Sequence, residues 1–266
     1  MIDPGASADP ALVARLRAAG CVFAEDEAAL LIEAAAGSEA ELERLVVRRV
    51  AGEPLEPLLG WAEFAGMRLH VEPGVFVPRH RTERLAERAA QEAAARPRAT
   101  VLDLCCGAGA IGAVVLARAP GARLFAADVE PAAVRCARAN LVPRGRVFEG
   151  DLFSALPGEL RGAFDVIAVN APYVPTREIA HMPPEARDHE PAVALDGGAD
   201  GLDVHRRIAA EAADWLAPGG VLLIEASDEQ APVSAALFEA AGLVAAVERD
   251  DERGSTLVSA RAAASS

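Results

Sequence analysis

From residue 100 onward, short apolar runs alternate with amphipathic stretches, and that alternation leaves few folds open. "TVLDL", "ARLFAA", "GRVFEG", "FDVIAV" and "VLLIEA" read as strands rich in Val, Ile, Leu and Phe, with little polar alternation. Such runs suit strands buried on both faces. Between them lie "GAGAIGAVVLARA", "EPAAVRCARANL" with Pro131 in its first turn, and "LDVHRRIAAEAADWL", expected to end near "APGG"; all three have helical spacing. "TERLAERAAQEAAA" precedes the first strand as a helix. "SDEQAPVSAALFEAAG" follows the fifth, with Ser227 and Gln230 at capping-box spacing. This order predicts an α/β fold of the Rossmann-like kind: a parallel sheet with helices on both faces and ligands at the carboxyl ends of its strands. "LVAAVER" and "STLVSA", around the turn "DDERG", predict an antiparallel pair at one edge. "AAASS" reads as a loose tail.

The first part of the chain has a different grammar. "PALVARLRAAG", "EDEAALLIEAAAG" and "SEAELERLVVRRVAG" each carry apolar residues at helical spacing and end in glycine. The third opens with Ser38 and Glu41 as a capping box. Residues 1–52 are therefore expected to form a small helical domain. Prolines 54, 57 and 73 then break the pattern, and "AEF" and "MRLHV" flank Ala65-Gly66 as a hairpin. Residues 53–78 are expected to link the helices to the sheet domain, residues 79–266.

The 266 residues are 52% hydrophobic and 25% charged, with a formal net charge of −14. A field of that sign repels phosphate backbones, which argues against a nucleic-acid partner. No run approaches the roughly 20 apolar residues of a membrane helix, and "MIDPGASADP" has no apolar signal core. Four cysteines, two of them adjacent (Cys105 and Cys106), suit neither a disulfide framework nor a metal ribbon. A reduced cytoplasmic protein without a membrane partner is the expectation.

"DLCCGAGAIG" leaves the first sheet strand and opens a helix, with Gly107, Gly109 and Gly112 in G-x-G-x-x-G order. Missing side chains let the backbone press against a ligand, and the helix N-terminus favours polar or anionic groups. Asp128 follows 21 residues after Gly107, at the end of the next strand, where a carboxylate accepts both hydroxyls of a ribose. Nicotinamide and S-adenosylmethionine sites both use such a loop and acid. Two features favour the methyl donor. Asp103 precedes the loop, placed to order a cationic methionine end. "GDLF" offers Asp151 to an adenine amino group and Leu152 to its face.

"NAPY", residues 170–173, ends the fourth sheet strand beside that loop. Asn170 offers a side-chain carbonyl oxygen. Pro172 lacks a donor and pushes Ala171 toward extended backbone, leaving the Ala171 carbonyl free to point outward. Tyr173 supplies a flat face. Two acceptors and a wall fit a planar NH2 group, whose lone pair they aim at an electrophile. Positioning of this kind supplies up to roughly 7–11 kcal/mol in ideal cases.

These stretches together resemble the PrmC/HemK family, which methylates the side-chain amide of a glutamine in peptide-chain release factors. The resemblance spans nearly the whole chain, through "GEPLEPLLGWAEFAGMRLHVEPGVFVPRHRTE", "VLDLCCGAGAIG", "GDLF", "NAPYVP", "HEPAVALDGGADGLDVHRRI" and "LAPGGVLLIEASDEQ". It implies a class I methyltransferase sheet and S-adenosyl-L-methionine as cofactor, with a release factor as protein partner recognised by the N-terminal helices. It places Gly107, Gly109, Asp128, Asp151 and Leu152 at the cofactor, Asn170 and Ala171 at the acceptor amide, and Tyr173 at the stacking position. Pro78, Arg79, Thr82 and Glu83 match a loop beside the cofactor; Arg79, Pro172 and Glu190 are expected near the substrate, Glu190 in a lid or an ordinary loop. The chain departs from the family in Ala171, where proline is usual, and in His80 and Arg81, where proline and aspartate are usual. Those departures leave another protein, or a small amide or amine, as the alternative acceptor.

The other chemistry-bearing residues read as background. His181, His189 and His205 are expected in solvent or loops, His70 as structural, His80 as a surface group. Trp61 and Trp215 are expected to pack. Cys105 and Cys106 lack a partner base. The basic stripe of "LERLVVRRV" reads as a solvated face. An adenine-methylating DNA enzyme, a nicotinamide oxidoreductase and a non-catalytic S-adenosylmethionine binder are the competing classes; only the first of them uses NAPY.

Overall fold

A computed structural model describes residues 9–264. Helices α1 (Pro10–Ala18), α2 (Ala24–Ala34), α3 (Glu39–Val50) and the short α4 (Leu55–Leu59) come first. They share a core of their own, built on Leu16, Leu31 and Leu45 with Ala24 and Ala28 letting the helices approach. Asp9 caps α1 by accepting from the Ala11 N–H, and Ser38 caps α3 by accepting from the Glu41 N–H. The expected capping box is only half made. The Glu41 carboxylate turns to Arg44, one turn further on, instead of back to the cap. The proline-rich stretch after α3 also holds α4, which was not foreseen; Gly60 closes it in the left-handed region, φ +79°.

Strands β1 (Trp61–Phe64) and β2 (Met67–His70) form the expected hairpin, with Ala65 and Gly66 both at positive φ as a type I′ turn requires. The Ala65 N–H donates to Glu83 at 2.9 Å, tying the hairpin to the start of α5 (Glu83–Ala94). Asn140 holds the other side: it exchanges two hydrogen bonds with the His70 backbone and donates to the Ala108 carbonyl of the glycine loop.

The remaining elements alternate as the sequence predicts: β3 (Thr100–Leu104), α6 (Ala110–Arg118), β4 (Arg123–Asp128), α7 (Pro131–Leu141), β5 (Gly145–Glu149) and β6 (Phe164–Val169). Then come α8 (Pro184–His189), α9 (Asp203–Trp215), β7 (Leu216–Ala226), α10 (Ala231–Ala240), β8 (Val244–Asp250) and β9 (Ser255–Arg261). The seven strands stand in the order β5-β4-β3-β6-β7-β9-β8. The first five are parallel, and β9 runs antiparallel between β7 and β8. Alternate strand residues face opposite cores, which is why the strands read as continuous apolar runs. Val101, Ala126, Val166 and Leu223 pack under α5 and α6, while Leu102, Phe125, Ile167 and Leu222 pack under α9 and α10. Each fully buried aliphatic side chain contributes about 1.5–3 kcal/mol.

Two boundaries differ from the sequence reading. α9 ends at Trp215; Leu216, expected as its last residue, and the "APGG" near which it was expected to end belong to β7, which pairs with β6 across a register shift between Phe164 and Val166. The Ser227–Gln230 box forms in full, each residue accepting from the other's backbone N–H. The expected tail "AAASS" ends at Ser265 and Ser266, outside the described residues. Among the described residues no helix is long and apolar enough to cross a membrane.

Candidate active site

The chain runs outward from β3 through β4 to β5 and returns to β6 on the other side of β3. A ligand crevice is expected where the order reverses, at the carboxyl ends of β3 and β6. A cavity opens there, with an empty volume of about 1430 Å³ counted out to its mouth. Its walls come from the glycine loop, the ends of β4 and β5, the NAPY turn and the segment Gly74–Thr82.

The glycine loop does two jobs. Gly107 turns at φ +52° and a Cβ there would meet nothing, so its backbone lies bare on the cavity wall. Gly109, at φ +79°, is needed for packing: a Cβ would come within 2.8 Å of Leu141 and 3.3 Å of the Ala137 backbone on α7. Cys105 sits at φ +58° with no glycine's freedom, and it lines the cavity. Burial pushes both the Cys105 and Cys106 thiols well up, so neither is a thiolate nucleophile.

Asp128 closes the loop from the end of β4. It accepts from Gly107 N at 2.8 Å with one oxygen and from Glu130 N at 2.9 Å with the other. Burial nevertheless holds its carboxyl above the ordinary range. Each oxygen keeps a lone pair for a ligand hydroxyl. A bare backbone turn, a rigid carboxylate and the apolar walls of Val129, Ile111 and Leu152 fit a nucleoside with vicinal hydroxyls. Asp151 and Leu152 both reach this wall, Leu152 at φ +48°, and Asp151 pairs with Arg207 across the rim.

NAPY forms the facing wall. The Asn170 Nδ2 donates to Thr82 Oγ1 at 3.4 Å, which leaves Oδ1 as the open acceptor of that amide. Ala171 is buried to 2% exposure at the cavity, and its carbonyl takes no hydrogen bond from the described residues. The Tyr173 hydroxyl donates to Glu225 Oε1 at 2.8 Å, and Gln230 Nε2 holds the Tyr173 carbonyl at 2.8 Å. Arg81 lies over the Tyr173 ring, 5.7 Å from its centre, and donates to the same Glu225 oxygen at 3.2 Å. Burial first, and then Glu225, push the Tyr173 phenol up, so it stays a protonated donor.

Comparison with known proteins places this architecture. Residues 66–183 match the family model "Methyltransferase small domain". The chain is 39% identical to the release factor glutamine methyltransferase of Bradyrhizobium diazoefficiens, over 90% of this chain and 87% of that one. The chain belongs to the release factor glutamine methyltransferase family. A 4-amino-L-phenylalanine/4-methylamino-L-phenylalanine methyltransferase from Streptomyces pristinaespiralis is also 39% identical, over 74% of this chain and 69% of that one. Among solved structures, a Thermus thermophilus 16S rRNA N2 G1207 methyltransferase shares the fold, with a TM-score of 0.55 at 24% identity, over 76% of this chain and 49% of that one.

Within this family member, the residues singled out from sequence divide into two groups. Gly107, Asp128, Asp151, Leu152, Asn170, Ala171, Pro172, Tyr173 and Arg79 line one cavity. Asp103, Gly109 and Glu190 do not. Asp103 is fully buried beneath the loop, where it accepts from Gly112 N at 2.8 Å. Placed there it anchors the loop from behind instead of meeting a ligand. Glu190 turns inward, its side chain 2% exposed, and takes the Val77 N–H and the Arg79 guanidinium. Thr82 and Arg81 line the cavity, whereas Glu83 serves the hairpin.

Two background readings need correction. His205 is fully buried on α9 and bonds Ser234 of α10 at 2.8 Å; it is not a solvent histidine. Arg49, in the stripe read as a solvated face, is buried between Glu27, Glu185 and the Glu53 carbonyl. His70, Glu72 and Cys136 bring three donor atoms within 4.8 Å of one another, away from the cavity, and Arg135 pairs with that Glu72.

Proposed function

We propose that this chain transfers a methyl group from S-adenosyl-L-methionine to the side-chain amide nitrogen of a glutamine in a protein, a peptide-chain release factor. The observation that carries this reading is the Asn170–Thr82 hydrogen bond: it spends the NH2 of Asn170 on Thr82 and leaves its oxygen, beside the free Ala171 carbonyl, for another amide. Gly107, Asp128, Asp151 and Leu152 would hold the nucleoside part of the cofactor. Bound there, S-adenosyl-L-methionine supplies an electrophilic methyl group on a positively charged sulfur.

The rest of the chemistry belongs to this chain's residues. Asn170 Oδ1 and the Ala171 carbonyl would accept hydrogen bonds from the two amide N–H groups, so the nitrogen lone pair, perpendicular to the amide plane, faces the glycine loop. Tyr173 bounds the acceptor on one face. Three of the four carboxylates that line the cavity are already engaged. Asp128 is tied to two backbone N–H groups, Asp151 to Arg207, and Asp196 to Thr176 and Gly198 N. The proton is lost to solvent after transfer, when the methylated nitrogen carries a positive charge and is acidic, so no strong base is required. In this reading residues 1–52 dock the acceptor protein, 53–78 link, and 79–266 carry the transfer, in the cytoplasm. The separate core of the first helices supports that division.

The relative that methylates an aromatic amine supports a second reading, because an aniline NH2 is also planar and also fits two acceptors. Transfer of labelled methyl to a release factor and to 4-amino-L-phenylalanine, with mass spectrometry of the products, separates the two. Label on the glutamine of the release factor alone is the expected result; label on the amino acid alone would overturn the protein reading. In the same assay Asn170→Ala is expected to lose transfer while keeping cofactor affinity in calorimetry.

A further inference from the structure

Glu225 is a buried carboxylate with no part in the chemistry described so far. It sits one residue from the end of β7, 2% exposed, while Tyr173 follows the neighbouring β6. Its Oε1 receives the Tyr173 hydroxyl at 2.8 Å and the Arg81 guanidinium at 3.2 Å. Arg81 in turn lies over the Tyr173 ring and carries the only positive charge within ion-pair distance of Glu225 among the described residues. A tyrosine ring free to swing about its side-chain torsions makes a poor wall. One pinned at its hydroxyl and covered on one face by a guanidinium has a single orientation.

Resting on the function proposed above, the geometry points to Glu225 as a positioning residue: it fixes the Tyr173 ring against which the acceptor nitrogen lies, and Arg81 makes that buried carboxylate tolerable. Glu225 touches neither the acceptor nor the cofactor. It acts through the tyrosine hydroxyl, so its contribution exists only while that hydroxyl exists. Arg81 has a second consequence. With a carboxylate at position 81, two negative groups would face each other across the Tyr173 ring, so the arginine and the buried glutamate form one device. A buried charge whose partner is removed costs several kcal/mol in folded proteins.

Tyr173 is the single tyrosine of the chain, so the near-ultraviolet phenolate band reports on this contact and nothing else. Alkaline titration is expected to show the phenol ionising above its ordinary value. Glu225→Gln should bring it down, because the ionised ring no longer faces a carboxylate, and Arg81→Ala should push it further up. The titration needs no acceptor, so it stands apart from the reading of function. In transfer assays, Glu225→Gln should lower kcat/KM for the acceptor about ten- to a hundredfold, as losing a hydrogen bond to a charged group does, with cofactor affinity kept. Tyr173→Phe removes the same contact from the other end and guards against a misfolded glutamate variant. On the Tyr173→Phe background Glu225→Gln should cost nothing more. A phenol titration indifferent to Glu225→Gln, or an undiminished loss on the phenylalanine background, overturns the proposal.

Discussion

Thr82 decides which way Asn170 faces. An amide side chain presents an acceptor or a donor according to a flip about its last bond, and only the acceptor end suits another amide. Thr82 Oγ1, 3.4 Å from Asn170 Nδ2, selects that end. Thr82→Val keeps the shape and removes the acceptor. One neutral hydrogen bond is worth about 1 kcal/mol, so transfer is expected to fall about five- to tenfold while Thr82→Ser retains it and cofactor affinity holds in both; equal transfer by the valine and serine variants would mean Asn170 is held otherwise. Asp103 gives a second expectation at this scale. Burial, with Asp128 adding to it, raises its carboxyl to about 8 against the pull of the Gly112 N–H. The folded state then holds one more proton than the unfolded from about pH 4 to about pH 8, and stability falls as pH rises through that window. His205 opposes this in the lower part, because burial lowers it to about 4 and the unfolded chain holds the extra proton up to about pH 6.5. Between about pH 6.5 and 8 the Asp103 effect therefore emerges, with a slope of up to about 1.4 kcal/mol per pH unit. Thermal unfolding of the native chain should show a falling Tm there and Asp103→Asn a flat one; parallel curves would contradict it. The sequence pointed to Asn170, Asp128 and Tyr173 because each stands at a strand end in a local motif. It was silent on Glu225 and on which groups Thr82 and Gln230 hold, since those partners lie 88, 52 and 57 positions apart and meet only once the sheet has formed.

Between elements, α8 in the segment after NAPY is tied down near both its ends by buried charged groups. At one end Glu185 of α8 meets Arg49 of α3, which also binds Glu27 of α2; at the other Glu190 meets Arg79 and Val77 N. The first helices and α8 thereby share one arginine. Removing it leaves the Glu27 carboxylate, 8% exposed, without a partner. Arg49→Met is expected to destabilise the protein by about 3–5 kcal/mol in chemical denaturation, whereas Glu185→Gln, at a half-exposed position, costs about 1 kcal/mol or less. Equal effects of the two would show that the arginine is solvated. Elements with a strong local signature were legible: the hairpin from Ala65-Gly66, the full capping box before α10, the alternation of strand and helix. Those set by competition were not. Glu41 had Arg44 as a rival to its cap, and Leu216 joined β7, where Phe164 of β6 is its partner. Sequence spacing alone shows neither rival.

At the scale of the whole molecule, fold and charge give different information about the acceptor. The sheet is shared with an rRNA methyltransferase, so the architecture alone admits RNA. The field does not. With a net charge of −14 the chain repels a polyanion at long range, and the arginines of the cavity rim are already engaged: Arg79 with Glu190, Arg81 with Glu225, Arg207 with Asp151. Proteins that bind nucleic acid without sequence preference do so at about 10⁻⁴–10⁻⁶ M at physiological salt, through cations free to displace counterions. Among the described residues the three rim arginines, each paired with a carboxylate, do not make such a row. Mobility shift with structured RNA at about 0.15 M salt is expected to show no complex up to about 10⁻⁴ M, and labelled methyl should not enter RNA. A protein acceptor with a basic face should instead bind more weakly as salt rises, because a negative field attracts it. An RNA complex in the micromolar range, with label in the RNA, would show that local charge at the mouth outweighs the charge of the body, and would move the acceptor from protein to nucleic acid.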